Sequence, residues 1–303
     1  MRKLNQVLDA VSAFKRELTR PRPLIPEGRP KIGLALGGGF ARGVAHIGVL
    51  KVLEEENIPI DFVAGTSVGA VVGALYCSGV SAKELEEVAA ILKFNQLARF
   101  TFSRMGFWSN DRLGQMLQRT LKVHTFEELK IPLAVTATDF VSGDPVVFTK
   151  GPLVEPVRAS CAYPSFFQPV SIDGRLMIDG LLAHPVPTGP LKQMGADKVC
   201  AVYFNSHWVG ATGPRHFLEI IGQCFSIAQA NVCPLWQANA DVVLEPKVEG
   251  FAYDAFHRAT ELVRAGEEAA RAALPKLKAW LEVPQRSPQR KGTLSPRTVP
   301  ITG

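Results

Sequence analysis

Short apolar runs alternate along this chain with segments in which apolar and charged residues share a helical spacing. Residues 31–36 read as a buried strand that runs into Gly37, Gly38 and Gly39. From about 42 to 56, Ile47, Leu50, Val52 and Leu53 supply the apolar positions while Lys51, Glu54, Glu55 and Glu56 mark the wet side, a helical pattern closed by Pro59. Residues 60–64 read as a second strand, so strand, loop, helix and strand follow within some thirty residues, as in a βαβ unit with a parallel pair. Residues 70–76 then predict a helix of small residues, and 82–121 a helical, partly amphipathic region. Strands are expected at 133–138 and 146–148 around a turn at 142–145, a helix at 154–161, strands at 176–178 and 199–204, and a helix-rich close at 255–281. This alternation predicts an α/β domain with a mostly parallel sheet and no internal repeat.

Outside 31–283 the pattern changes. Leu4, Val7, Leu8, Val11, Phe14 and Leu18 lie on one helix face that ends near Pro21, followed by a Pro-rich linker to about residue 30. Asp9, Lys15, Arg16 and Glu17 interrupt the apolar run, which argues against a signal peptide. Such a helix is expected to dock on its own domain, with a membrane surface as the alternative. Residues 284–303 have the composition of a disordered basic tail. Residues 62–82 carry no charge and are long enough to span a bilayer, but their glycines and strand-like start favour a buried strand followed by a buried helix.

Composition adds limits. With 303 residues and 47% hydrophobic content the chain can fill a large core without disulfide staples. Its five cysteines are scattered and form no Cys-x-x-Cys pair, which fits reduced thiols and a cytoplasmic setting. The net charge of +6 belongs to the ends: residues 1–31 carry eight basic and three acidic residues, residues 284–303 four basic and no acidic ones, and 32–283 a balance of −3. No basic stripe with interleaved aromatics suggests a nucleic-acid partner. Contact with the inner face of a membrane is the peripheral association that basic ends would favour.

The candidate chemistry centres on Gly65-Thr66-Ser67-Val68-Gly69, a Gly-x-Ser-x-Gly between strand and helix. In that setting the turn is a nucleophile elbow, with Ser67 exposed near a helix N-terminus that favours a developing anion. The second motif, residues 37–43, also lies between strand and helix, and its amides suit either a phosphate or an oxyanion. No Gly-Lys-Ser/Thr follows, and Arg42 stands where a dinucleotide loop needs glycine. Together the two motifs point to acyl transfer through a serine.

The stretch 37–50, the elbow at 65–69, Asp179-Gly180, Arg158-Ala159-Ser160 with Pro164, and Pro185-Val186-Pro187 resemble the patatin-like phospholipase family. The similarity extends over about 31–282 and is greater to compact bacterial members related to the neuropathy target esterase catalytic domain. It implies a three-layer α/β domain that hydrolyses lipid acyl esters through a Ser–Asp dyad, with no catalytic histidine, metal or organic cofactor. By position Ser67 is then the nucleophile and Asp179 its base. Gly37, Gly38 and Gly39 carry the oxyanion donors, Arg42 is the loop's basic residue, and Gly65, Gly69 and Gly180 are supporting glycines. The implied partner is a lipid or lysophospholipid.

The chain departs from the family pattern at Leu181, His184, Phe40, Ala162 and Ser165. The first two motivate an alternative, a lipid-binding or regulatory protein with weak turnover. His184 is also an alternative base, although a surface or hydrogen-bonding role is the default for it and for His207. His46 is expected to support the glycine loop and Asp139 to cap a turn. Arg42 is read either as a lipid-phosphate contact or as a tie for the loop. Phe100, Phe102, Phe107 and Trp108 are expected in the core, with a pocket wall or lid as the other reading.

Overall fold

Strand periodicity decides which layer each side chain of the sheet enters. The computed structural model describes residues 28–103, 105–205, 213 and 217–282. The expected N-terminal helix and linker, the basic tail and His207 lie outside the described residues, apart from the last residues of the linker. In chain order the elements are β1 (Ile32–Leu36), α1 (Ala45–Glu55), β2 (Phe62–Thr66), α2 (Val68–Cys77), α3 (Ala82–Ile91), α4 (Phe94–Leu97), β3 (Arg99–Ser103), β4 (Gly106–Ser109), α5 (Asp111–Thr120) and β5 (Leu133–Asp139). They continue with β6 (Pro145–Phe148), α6 (Val154–Ser160), β7 (Val170–Ile172), β8 (Arg175–Asp179), α7 (Thr188–Gln193), β9 (Lys198–Val202), α8 (Phe217–Gln237), β10 (Val242–Leu244) and α9 (Ala259–Ala279).

The main sheet has the order β10-β9-β1-β2-β5-β8-β7, with β6 also paired to β5. From β10 to β5 the neighbours are parallel, while β6 and β8 run antiparallel to β5, and β7 to β8. Every side chain of β1 and β5 is buried, as expected for strands covered on both faces. Ile32, Leu34, Leu36, Leu133, Val135, Cys200 and Val202 enter one layer, with α1, α2, α3 and α9. Ala35, Ala64, Ala134, Val199 and Ala201 enter the other, against α7 and Trp236 of α8. Large residues thus alternate with small ones, and the small side lets the thinner helical cover approach.

Two registers place the site. Thr66 of β2 pairs with Thr136 of β5, and Asp179 of β8 pairs with Ala137, the next residue of β5. The residue after Thr66 therefore leaves its strand beside the carboxyl end of β8. Leu36 pairs with Gly65, so the glycine loop after β1 opens at the same end of the sheet. Carboxyl ends of parallel strands are where α/β sheets hold ligands.

The uncharged run 62–82 folds as β2 and α2, a buried strand and helix as expected, and no helix among the described residues is long and apolar enough to cross a membrane. The helix expected from residue 42 starts later, after a 3-10 turn at Phe40–Val44. The region 82–121 is not helical throughout. Two short helices give way to the β3–β4 hairpin, whose aromatic residues favour extended backbone and whose Gly106 adopts φ +158°. The long helix α8 and the edge strand β10 were not expected. Pro234 and a nearly uncharged, evenly apolar composition hide the helical period of α8, and three residues of β10 are too short to show a strand period.

Candidate active site

Ser67 occupies the corner between β2 and α2 with φ +55° and ψ −125°, a conformation that costs a non-glycine residue ~1–3 kcal/mol. Its surroundings hold it there. Its N–H donates to Ser160 Oγ at 2.8 Å, and its carbonyl accepts from Ala70 N and Val71 N at 2.8 and 3.2 Å. A Cβ on Gly69 would sit 2.1 Å from Leu36 O, and one on Gly65 2.5 Å from Gly69 O. The elbow is pressed against the end of β1, and only glycine leaves room.

Asp179 ends β8, wholly buried. Its backbone is fixed by a 3.0 Å bond from its N–H to Ala162 O and another 3.0 Å bond from Thr138 Oγ1 to its carbonyl. The Ser67 hydroxyl donates to Asp179 Oδ2 at 2.7 Å, and Leu181 N–H donates to Oδ1 at 3.0 Å. Burial pushes the carboxyl up to about 7, against the two hydrogen bonds, which favour the charged form. Gly180 follows tightly: a Cβ there would lie 2.5 Å from Thr136 O. Leu181, the bulky departure, turns its side chain onto Gly38, where a Cβ would come 2.5 Å from Leu181 Cδ2, and its amide orients the carboxylate.

The glycine loop narrows an expectation. Gly37 N–H donates to Val202 O at 3.1 Å and Gly38 N–H to Pro185 O at 3.2 Å, so these two amides fasten the loop and do not face an oxyanion. Neither do they converge on a phosphate, which removes the structural basis of a nucleotide reading. Gly39 N–H makes no backbone hydrogen bond among the described residues. At the start of α2 the Val68 and Gly69 amides likewise make no backbone hydrogen bond among the described residues, whereas those of Ala70 and Val71 donate to Ser67 O.

His46 sits fully buried behind this loop, with Nε2 2.8 Å from Gly37 O. Because that carbonyl only accepts, Nε2 carries the proton, and burial pushes the imidazole down to about 4, leaving a neutral ring. Arg42 is 8% exposed and its Nε donates to Phe251 O at 2.9 Å, a tie between the loop and a distant segment. His184 contributes its backbone, its carbonyl accepting from Thr66 Oγ1 at 2.7 Å, while the Ser67 hydroxyl donates to Asp179 with no imidazole between them. Asp139 caps its turn through Val141 N and Ser142 N and pairs with Arg175 Nε at 2.7 Å.

Two neighbours of Ser67 were not assigned roles from sequence. Ser160 ends α6 fully buried, and only the fold shows that its hydroxyl accepts from the Ser67 amide. The Cys161 thiol lies against the Ser67 hydroxyl, kept protonated by burial and by the Asp179 charge. Beyond Ser67 opens an apolar cavity of about 940 Å³ including its mouth, walled by Val71, Leu75, Leu113, Met116 and Phe256. Phe100 and Phe107, expected in the core, are 64% and 41% exposed instead, because their hairpin stands outside the main sheet; Trp108 packs inward on Phe166. Phe102's side chain lies outside the described residues. Among the described residues no three His, Cys, Asp or Glu side chains gather as a metal would require.

The family model of patatin-like phospholipases matches residues 34–192, more than half the chain. An uncharacterized NTE family protein of Mycobacterium bovis is 36% identical over 184 residues, covering 60% of this chain and 51% of its own. The neuropathy target esterase of Drosophila melanogaster is 35% identical over 183 residues, 58% of this chain and 13% of its own length. The chain thus spans about half the length, or less, of these curated relatives. Among solved structures, VipD from Legionella pneumophila shares the fold at TM-score 0.57 and 14% identity, over 83% of this chain and 67% of that one. The chain belongs to the patatin-like phospholipase family.

Two outcomes follow from this geometry. Unfolded, the Asp179 carboxyl loses its proton near its ordinary value of 3.8; folded, it holds the proton up to about 7, so wild-type stability falls as pH rises between those values. Asp179→Asn lacks this loss, and urea denaturation should show its stability relative to wild type growing from pH 4 to about 7 and levelling above. Ser160→Ala leaves the Ser67 amide buried without an acceptor and should lower stability by ~1–3 kcal/mol in the same assay.

Proposed function

We propose that this member of the patatin-like phospholipase family is a serine-dependent lipid acyl hydrolase, of the phospholipase A or lysophospholipase type. The observation that carries the reading is the 2.7 Å bond from the Ser67 hydroxyl to the buried Asp179 carboxylate, formed at the wall of an apolar cavity. A serine hydroxyl needs a positioned base, and a carboxylate pushed up to about 7 is a far better base than an ordinary one near 3.8. No imidazole is required between them.

In this mechanism Ser67 Oγ attacks the ester carbonyl while Asp179 Oδ2 takes its proton. The tetrahedral oxyanion is held by Gly39 N–H and by Val68 N–H, the amide after the nucleophile, with the α2 N-terminus adding its partial positive charge. Collapse expels the alcohol, which leaves with the proton from Asp179. A water then attacks the acyl-serine while Asp179 again accepts a proton, and the freed acid departs. The cavity's apolar lining suits one acyl chain, with Ser67, Asn110, Cys161 and Tyr163 as its few polar groups. Phospholipid, lysophospholipid and related carboxylic esters form the substrate class.

Labelling by a fluorophosphonate probe, together with turnover of p-nitrophenyl esters of increasing chain length, tests this assignment. Wild type should label and hydrolyse; Ser67→Ala should do neither, and Asp179→Asn should lose ~10³-fold or more in kcat. Because Asp179 must be ionised to act as base, kcat/KM should fall with one proton as pH drops through about 7. A folded wild type that neither labels nor turns over would favour the lipid-binding alternative. Undiminished turnover by Asp179→Asn would remove the dyad.

A further inference from the structure

Residues 91–112 differ in chemistry from the body around them. They carry Lys93, Arg99, Arg104 and Arg112 against Asp111 alone, a balance of +3 within a body, 32–283, whose total is −3. The same short stretch holds Ile91, Phe100, Met105 and Phe107 at 74%, 64%, 55% and 41% exposure. Clustered exposed apolar residues rimmed by charge mark an interaction surface, whereas single ones need no explanation.

These side chains are displayed on a braced support. Among the described residues the β3–β4 hairpin forms a sheet of its own, bridged to Phe167 at Trp108, whose N–H donates to Phe166 O at 2.9 Å and whose carbonyl accepts from Gln168 N–H at 3.0 Å. Trp108 stacks on Phe166 at 5.6 Å between ring centroids, and the Phe100 ring stands 6.1 Å from Trp108. Arg112 reaches back to Asn95 O, tying α5 to the approach of the hairpin. The brace connects to the cavity. Phe94, Leu97 and Phe167 wall the space that contains Ser67, and an outer groove beside Ile91 and Lys93 shares Leu92, Phe94 and Phe256 with it.

We propose that the hairpin 99–109 with the adjoining residues 91–98 is the surface by which this protein docks on an anionic lipid bilayer. Phe100, Met105 and Phe107 enter the headgroup region, and Lys93, Arg99 and Arg112 face lipid phosphates. Charge decides for an anionic bilayer: the positive excess is concentrated where the apolar side chains emerge, and the remaining body is negative and would be repelled. Interfacial elements combine apolar insertion with cationic flanks in this way. The groove and cavity walls at the foot of the hairpin then lie next to the acyl chains, so the purpose of the surface rests on the hydrolase reading, whereas its occupancy is measured without turnover.

The experiment is vesicle flotation of the full chain, with phosphatidylcholine alone or mixed with phosphatidylglycerol. Wild type should float with the mixed vesicles and far less with phosphatidylcholine, and added salt should weaken binding. Phe100→Ser combined with Phe107→Ser should lower partitioning by roughly tenfold or more, and Lys93→Glu with Arg99→Glu should remove the preference for anionic lipid. Both pairs should keep wild-type circular dichroism and turnover of soluble p-nitrophenyl butyrate, since none of the four lines the cavity. Failure of wild type to bind, or equal binding by both variants, overturns the proposal while leaving the hydrolase reading to its own assay. Loss of ester turnover in every protein with vesicle binding intact would sink the hydrolase reading and keep the docking surface. A wild-type dimer that becomes monomeric in the aromatic variant, without vesicle binding, would make this face an interface between copies and overturn bilayer docking.

Discussion

The contact between Ser67 Oγ and Asp179 Oδ2 forms where solvent does not reach the carboxylate, and the neighbouring structure is arranged around that circumstance. Burial alone would keep Asp179 protonated and useless as a base. Two donors, the Leu181 amide and the Ser67 hydroxyl, favour its ionised form against burial, and the balance places the group at about 7. An interior carboxylate poised in this way can exchange a proton with a hydroxyl directly. The proposed mechanism needs no intervening imidazole, and the buried His46 lies elsewhere, neutral, under the glycine loop.

Such a pair works only if neither partner can move. The strained backbone of Ser67 is held by Ser160 from α6, by the first turn of α2 and by the end of β1. Asp179 is clamped from Ala162, Thr138 and the crowded Gly180. The Thr66 hydroxyl donates to His184 O and lies 2.7 Å from Thr136 Oγ1, whose proton must therefore run toward Thr66. Three strands are cross-linked at the level where Ser67 and Asp179 leave the sheet. Rigidity on this side contrasts with the opposite wall of the cavity, built from the helices α3, α4 and α5. One side fixes atoms that must not drift, and the other presents apolar surface.

The glycine loop shows how a motif can be read correctly in kind and wrongly in detail. A Gly-Gly-Gly stretch after a strand announces close backbone approach, and the structure has it: Gly38 meets Leu181 and Gly39 meets Phe204. Which amides remain for a ligand is a separate matter, set by Val202 and Pro185, residues distant in the chain whose carbonyls take the first two. Leu181 reads from sequence as a disturbance of the aspartate motif. In the fold its side chain fills the space that Gly38 leaves, and its amide serves the carboxylate.

The chain itself determined much of the scaffold. Largely apolar runs such as 32–36 and 133–138 read as strands covered on both faces, and the helix pattern after Gly39 points to a parallel crossover, because these signals depend on neighbours within a few positions. The elbow was legible for the same reason, since its glycines answer to local geometry. Tertiary structure alone decided what depends on register and on distant partners. Thr136 and Ala137 are adjacent in β5, yet they receive β2 and β8 from segments far apart in the chain, and this brings residue 67 to residue 179 across 112 positions. Ser160 as the anchor of the Ser67 amide, the raised Asp179 carboxyl and the exposed aromatic hairpin belong to the same class. Burial and hydrogen bonding are properties of what surrounds a residue, and for these groups the surroundings come from parts of the chain that local pattern cannot bring together.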